Sequence, residues 1–199
     1  MSAKPRVVFS AVRLVTQVSA MARSISRDYA GKPLDAVILI ESGFIFAADL
    51  VRRITSPVSC HFVRTELRDV DSSGFQRREV FFSHPPALRE RNVLVIAAIL
   101  STGITMDFLC KRLLESGPRS LRIAVLVDKP AARRVDLRPD YFAFVDASNE
   151  LIGYGLADRH DRYRNLPYVG VLGRRASSRG VRGMSGRRAG AASLRRGKP

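Results

Sequence analysis

The stretch from Arg91 to Phe108 constrains the fold more than any other. Val93-Leu94-Val95-Ile96 is a short apolar run, mostly β-branched, of the kind that forms a strand buried on both faces. Ser101-Thr102-Gly103 is a turn. From Thr105 the pattern changes, and Phe108, Leu109, Leu113 and Leu114 recur at helical spacing. A strand buried on both faces needs helices above and below it. The chain therefore reads as α/β, with a central, mostly parallel sheet flanked by helices. The junction is also suited to an anion. N–H groups of a small-residue loop and of a first helical turn lack helical partners, and the helix dipole favours negative charge there. Ser101, Thr102, Gly103, Ile104 and Thr105 are the candidate phosphate-binding residues, through backbone N–H groups and the hydroxyls of Ser101, Thr102 and Thr105. A plain strand-to-helix turn has the same spacing, so this stretch alone leaves both readings open.

The same alternation recurs on either side. Met1 to Arg6 reads as a loose end. Ser10 to Tyr29 carries Val12, Val15, Val18, Ala22, Ile25 and Tyr29 at spacings that predict an amphipathic helix, ended by Gly31-Lys32-Pro33. Ala36 to Ile40 is a buried strand, Glu41-Ser42-Gly43 a turn, and Phe44 to Ile54 a helix with Phe46, Leu50 and Ile54 on one face. Ser59 to Thr65 is the next strand, followed by a polar loop from Glu66 to Gln76 and an edge strand from Arg77 to Ser83 that Pro85-Pro86 ends. Leu121 to Val127 is a further buried strand, ending in Asp128-Lys129-Pro130, and Tyr141 to Val145 is another.

Composition sets the class. With 199 residues, 46% of them apolar, the chain can bury one real core. The formal charge of +16 is partly local, because Gly173 to Pro199 holds nine Lys/Arg and no acid. That gives residues 1–172 as one domain and 173–199 as a disordered Arg/Gly/Ser-rich tail. The tail can attract nucleic acid or an acidic membrane through charge alone. It has no interleaved aromatic on which bases would stack, and a shifted reading frame gives the same composition. Cys60 and Cys110 are flanked by apolar residues and read as buried thiols in a reducing compartment rather than as a metal site. No apolar run has the length of a membrane span, and the N-terminus has no signal-peptide pattern. The expected location is the cytoplasm.

Two further stretches narrow the reading. Leu121 to Pro130 is LRIAVLVDKP, and Pro139 to Leu172 is PDYFAFVDASNELIGYGLADRHDRYRNLPYVGVL. Together with the Arg91–Phe108 loop, and in this order, they resemble the hypoxanthine-guanine phosphoribosyltransferases of the type I phosphoribosyltransferase family. The resemblance runs from roughly Leu34 to Leu172, and Gly153-Tyr154-Gly155-Leu156 with Arg162-Tyr163-Arg164-Asn165-Leu166-Pro167-Tyr168 carries most of its specificity. It implies a type I fold with a small hood and a homo-oligomer, dimer or tetramer. The activity it implies belongs to purine salvage: hypoxanthine or guanine is joined to phosphoribosyl pyrophosphate with Mg²⁺, giving a nucleoside monophosphate and pyrophosphate.

Set against that pattern, the site residues divide. Lys129 stands where the family's lysine donates to the purine's exocyclic oxygen; it also reads as an ordinary surface lysine. Leu151 is placed to offer backbone hydrogen bonds to a base edge. Arg164 matches an arginine that holds pyrophosphate or the loop, and a salt bridge closing the domain is the other reading. The departures are larger. Two adjacent acids that hold the ribose hydroxyls, and a third that faces the purine N7 as general base, become Ala97, Ala98 and Ser101. Alanine accepts no hydroxyl proton, and serine is a poor general base near neutral pH. Glu41 replaces a cation in the pyrophosphate loop, or is an exposed loop charge. The lid's Ser-Tyr pair is absent, with Glu66-Leu67-Arg68 in its place. Glu150 replaces the aromatic that stacks on the base, a loss of about 1 kcal/mol. Ala157 stands at the metal-facing position, and Asp158 beside it is the substitute ligand. The pattern reads as a phosphate cradle kept and chemistry removed: a catalytically impaired or silent relative, a pseudoenzyme that binds a nucleotide or phosphate in a regulatory or partner-subunit role. The alternative is an active hypoxanthine/guanine phosphoribosyltransferase in which other groups replace the lost acids.

Overall fold

Among the described residues, eight strands and three α-helices arise in the order that the apolar runs dictate. The computed structural model describes residues 5–40, 42–69, 76–82, 86–148 and 150–172. The elements are β1 (Pro5–Phe9), α1 (Ala11–Asp28), β2 (Leu34–Leu39), α2 (Phe44–Val51), β3 (Val58–Asp69), β4 (Gln76–Phe82), β5 (Asn92–Leu100), α3 (Ile104–Leu114), β6 (Ser120–Asp128), β7 (Tyr141–Val145) and β8 (Val169–Leu172). One sheet has the order β4-β3-β2-β5-β6-β7. Five of its strands are parallel, and β4 pairs antiparallel to β3 at the edge. This is the expected α/β architecture of a type I phosphoribosyltransferase.

Burial explains why the central strands were so apolar. Val93 to Ile96 are fully inaccessible, as are Ala124 to Val127 on the neighbouring β6. The core forms two layers. Ile38, Leu94, Ile96 and Leu126 meet α1 and α2 on one face, while Val37, Val93, Val95 and Val125 meet α3 on the other. Ser10 caps α1, its hydroxyl accepting from the Arg13 N–H at 3.4 Å.

Several expectations need correction. The buried face of α1 is Leu14, Val18, Met21, Ala22 and Ile25, whereas Val12 is 77% and Val15 51% exposed. On α3, Leu109 and Leu113 are buried with Met106 and Cys110, but Leu114 is exposed. Pro5 and Arg6 are not a loose end: β1 pairs antiparallel with β8, Pro5 opposite Leu172. This two-stranded hood docks through Phe9, whose ring stacks on Phe144 at 4.0 Å between centroids. Residues 66–69 continue β3 rather than forming a loop, paired with β4 as far as Asp69 opposite Gln76. The intervening Ser72-Ser73-Gly74 and the whole 173–199 segment lie outside the described residues. Cys110 is buried, but Cys60 is exposed, because β3 lies toward the sheet edge beyond the cover of α2. Among the described residues no helix is long and apolar enough to cross a membrane.

Candidate functional site

The chain passes from β2 to β3 on one side, then returns to lay β5 on the other side of β2. Loops leaving the carboxyl ends of β2 and β5 therefore diverge and open a crevice, the usual ligand position in such sheets. A pocket of about 150 Å³ lies there, lined by Leu39, Ala97, Ile99, Ser101, Thr102 and Thr105 among others.

The phosphate loop is built by backbone geometry. Gly103 takes φ 82° at the start of α3, and no side chain caps the helix. The first helical bond is from the Asp107 N–H to the Gly103 carbonyl at 2.8 Å, so the amides of Ile104, Thr105 and Met106 precede the helical ladder. A Cβ at Gly103 would meet Val135 Cγ2 at 2.7 Å and Arg133 Cδ at 3.1 Å, so the 133–135 segment packs directly behind the loop. Arg133 pairs with Asp128, and its Nη1 is buried with no hydrogen-bond partner among the described residues. A cation with an unused donor thus lies directly behind Gly103 of the loop expected to hold phosphate.

Beside this loop the wall is apolar. Ala97 is 4% exposed and lines the crevice, whereas Ala98 packs into the core on the α1/α2 face. Glu41 lies outside the described residues. Three carboxylates come into question as replacements, and each is engaged locally. Asp107 accepts from Lys111 Nζ at 2.8 Å, Asp128 pairs with Arg133, and Asp158 pairs with Arg162 at 2.8 Å. Asp158 takes four hydrogen bonds, two from the Arg162 guanidinium and two from the backbone N–H groups of His160 and Arg162. Mg²⁺ takes one or two carboxylates with phosphate oxygens and water. Among the described residues no three His, Cys, Asp or Glu side chains group to hold a metal, and Asp158 would have to give up Arg162 to serve. The described residues do not fit a protein-held Mg²⁺.

On the other side of Ser101 a second pocket of about 310 Å³ opens, lined by Ser101, Lys129, Pro130, Val145, Asp146 and Ser148 among others. The Lys129 N–H donates to the Leu100 carbonyl at 2.9 Å, which fixes this strand end beside the phosphate loop. Lys129 is 8% exposed, so it is no ordinary surface lysine, and burial pushes its ammonium pKa down. Ser101 lines both pockets and so joins them.

The most diagnostic motif of the sequence turns out to build structure. Tyr154 at φ 53°, between Gly153 and Gly155, turns the chain so that its hydroxyl donates to Asp49 of α2. A Cβ at Gly155 would stand 2.8 Å from the Ser42 carbonyl, so the turn packs against the loop after β2. Arg164 donates to the Gly155 carbonyl at 2.6 Å and pairs with Asp161, which holds the segment closed. Leu151 is buried at 4% exposure. Asp146, Ser148 and Arg133 were missed by sequence reasoning. Only the Arg-Arg pair after Lys129-Pro130 signalled basic groups near the loop.

The phosphoribosyl transferase domain family matches residues 10–159. A hypoxanthine-guanine phosphoribosyltransferase of Streptococcus thermophilus (strain CNRZ 1066) is 31% identical over 168 residues, covering 84% of this chain and 92% of that protein. The protein of the same name from Lactococcus lactis is 28% identical over 167 residues, covering 84% and 90%. The crystal structure of a hypoxanthine-guanine phosphoribosyltransferase from Bacillus anthracis matches with a TM-score of 0.77 at 29% identity, covering 86% of this chain and 99% of that one. Sheet order, crevice, loop and these likenesses agree, and the chain belongs to the phosphoribosyltransferase domain family as a type I, hypoxanthine-guanine phosphoribosyltransferase-like member.

Proposed function

We propose that this protein binds a purine nucleoside monophosphate on a phosphoribosyltransferase site whose chemistry is lost, and acts as a cytoplasmic regulatory or partner subunit within a homo-oligomer. One observation carries the reading: positions 97, 98 and 101 hold no carboxylate, and Asp107, Asp128 and Asp158 are each committed to a neighbouring cation. Transfer of a ribosyl group develops positive charge at the sugar, which preorganised negative groups must stabilise, and the purine needs a base at N7. An apolar wall of Ala97, Leu39 and Ile99 supplies neither. Binding needs less. The uncapped start of α3 suits the 5′-phosphate, and Lys129 suits an oxo group on the base.

An active salvage enzyme is the second reading, favoured by the retained Lys129 pocket and by the activity that the relatives' names state. One titration separates the two. Guanosine monophosphate, phosphoribosyl pyrophosphate and inorganic phosphate are added with and without Mg²⁺, then guanine or hypoxanthine, and nucleotide formation is followed. The expected result is monophosphate binding that Mg²⁺ leaves unchanged, with no product. Turnover of roughly 1 per second or faster, ordinary for an enzyme, overturns the proposal.

A further inference from the structure

The base pocket contains a charge that the reading above does not use. Asp146 follows β7, and its N–H donates to the Asp128 carbonyl at 3.2 Å, which sets it beside Lys129. Ser148 then ties both groups down. The Ser148 N–H donates to Asp146 Oδ1 at 2.7 Å, and the Ser148 carbonyl accepts from Lys129 Nζ. The carboxylate and the ammonium are thus anchored to one residue without an ion pair between them among the described residues. Each keeps hydrogen-bonding capacity, because an ammonium has three donors and a carboxylate about four acceptor positions. Pro130 and Val145 supply apolar wall on which a flat ring can lie. One edge of the pocket therefore offers donors beside an acceptor.

We infer that Asp146 makes this pocket selective for guanine, with Lys129 donating to O6 and the Asp146 carboxylate accepting from N1–H and the exocyclic amine. The inference rests on the proposed nucleoside monophosphate site and names its base. Guanine alone among the common purines presents acceptor, donor, donor along one edge. Hypoxanthine lacks the amine. Xanthine turns an oxygen toward the carboxylate and is repelled. Adenine turns a donor toward Lys129 and an unprotonated nitrogen toward Asp146, so it is wrong at both places. A carboxylate taking two parallel N–H bonds is a strong, directional contact.

The test is calorimetric titration of the full chain with the 5′-monophosphates of guanosine, inosine, xanthosine and adenosine, repeated on Asp146→Asn and Asp146→Ala. Guanosine monophosphate is expected to bind roughly tenfold tighter than inosine monophosphate, the size of one hydrogen bond to a charged group. The xanthosine and adenosine forms should bind weakest. Both variants should bring the guanosine-to-inosine ratio close to one, with guanosine monophosphate losing two contacts and inosine monophosphate only the one from its N1–H. Equal affinity for the two in the unaltered chain, or a ratio that neither variant changes, overturns the assignment of Asp146 alone. Failure of all four nucleotides to bind overturns the nucleotide site beneath it.

Discussion

Asp158 shows how one residue can be read as ligand or as structure. Hydrogen bonds from the Arg162 side chain, and then from the Arg162 and His160 backbone N–H groups, hold its carboxyl at about 2. An unfolded aspartate titrates near 3.9, roughly two units higher. The folded form is thus the stronger acid, so the group contributes stability above the unfolded value and loses it as pH falls toward the folded one. Asp158→Asn is therefore expected to lower the urea midpoint at pH 7, and the gap from the unaltered chain should close between about pH 4 and pH 2. Equal midpoints at pH 7 would mean that the Arg162 pairing contributes nothing to stability. The two thiols make a second contrast. Burial pushes the Cys110 thiol up to about 12, and Cys110 is 6% exposed, whereas Cys60 is open to solvent. An aromatic disulfide reagent should titrate one thiol per native chain and two in denaturant. Two fast thiols in the native protein would show that α3 opens readily.

At the scale of elements, the start of α3 depends on a glycine for two separate reasons. The left-handed φ of 82° disfavours a side chain, and a Cβ would meet Val135 Cγ2 at 2.7 Å. Gly103→Ala should cost roughly 1–3 kcal/mol in urea unfolding and weaken nucleotide binding with it. Unchanged stability would place the 133–135 segment farther from the loop than described. This junction, and β2, β5 and β6, were legible because the middle of a strand covered on both faces is an unbroken apolar run, with the buried polar residues Asp35, Asn92 and Asp128 confined to the strand ends. Helix α1 was legible as a helix but not in its orientation. Val12 and Val15 keep helical spacing as well as Leu14 and Met21 do, and only packing against the sheet decides between the stripes. Strand β1 was illegible for a different reason. It is five residues long, and its partner β8 lies at the far end of the domain, so nothing local marks it. The loss of acids at 97, 98 and 101 was plain because Thr102-Gly103 fixes the register of the loop. The commitment of the remaining acids was half visible, since Lys111 stands four residues after Asp107 on a helix, a spacing that pairs charges, whereas the Asp158–Arg162 pair closes a turn that the sequence does not mark. Asp146 gave no such sign, because an acid after a strand reads as an ordinary loop residue.

Over the whole molecule, hood and sheet share one interior. Phe9 of β1, Val169 of β8, and Leu151, Tyr154 and Leu156 of the segment between β7 and β8 pack in the same cluster as Leu34, Phe46, Leu94 and Leu126. A hood that owned a separate core would unfold separately. One that shares its core cannot leave without exposing the α1/α2 layer to water, at about 25 cal/mol for each Å² of apolar surface. The expected behaviour is therefore a single cooperative transition, with the same urea midpoint by far-ultraviolet circular dichroism and by tyrosine fluorescence. The two signals report different parts: helices dominate the first, while the second comes from five tyrosines, of which Tyr154, Tyr163 and Tyr168 lie between β7 and β8. Guanosine monophosphate at a hundred times its dissociation constant should raise the stability reported by both signals by about 2.7 kcal/mol. Displaced midpoints would separate hood from sheet. A ligand shift in the fluorescence signal alone would mean that the nucleotide is held by the hood rather than at the ends of β5 and β6, and the crevice would lose its assignment as the binding site.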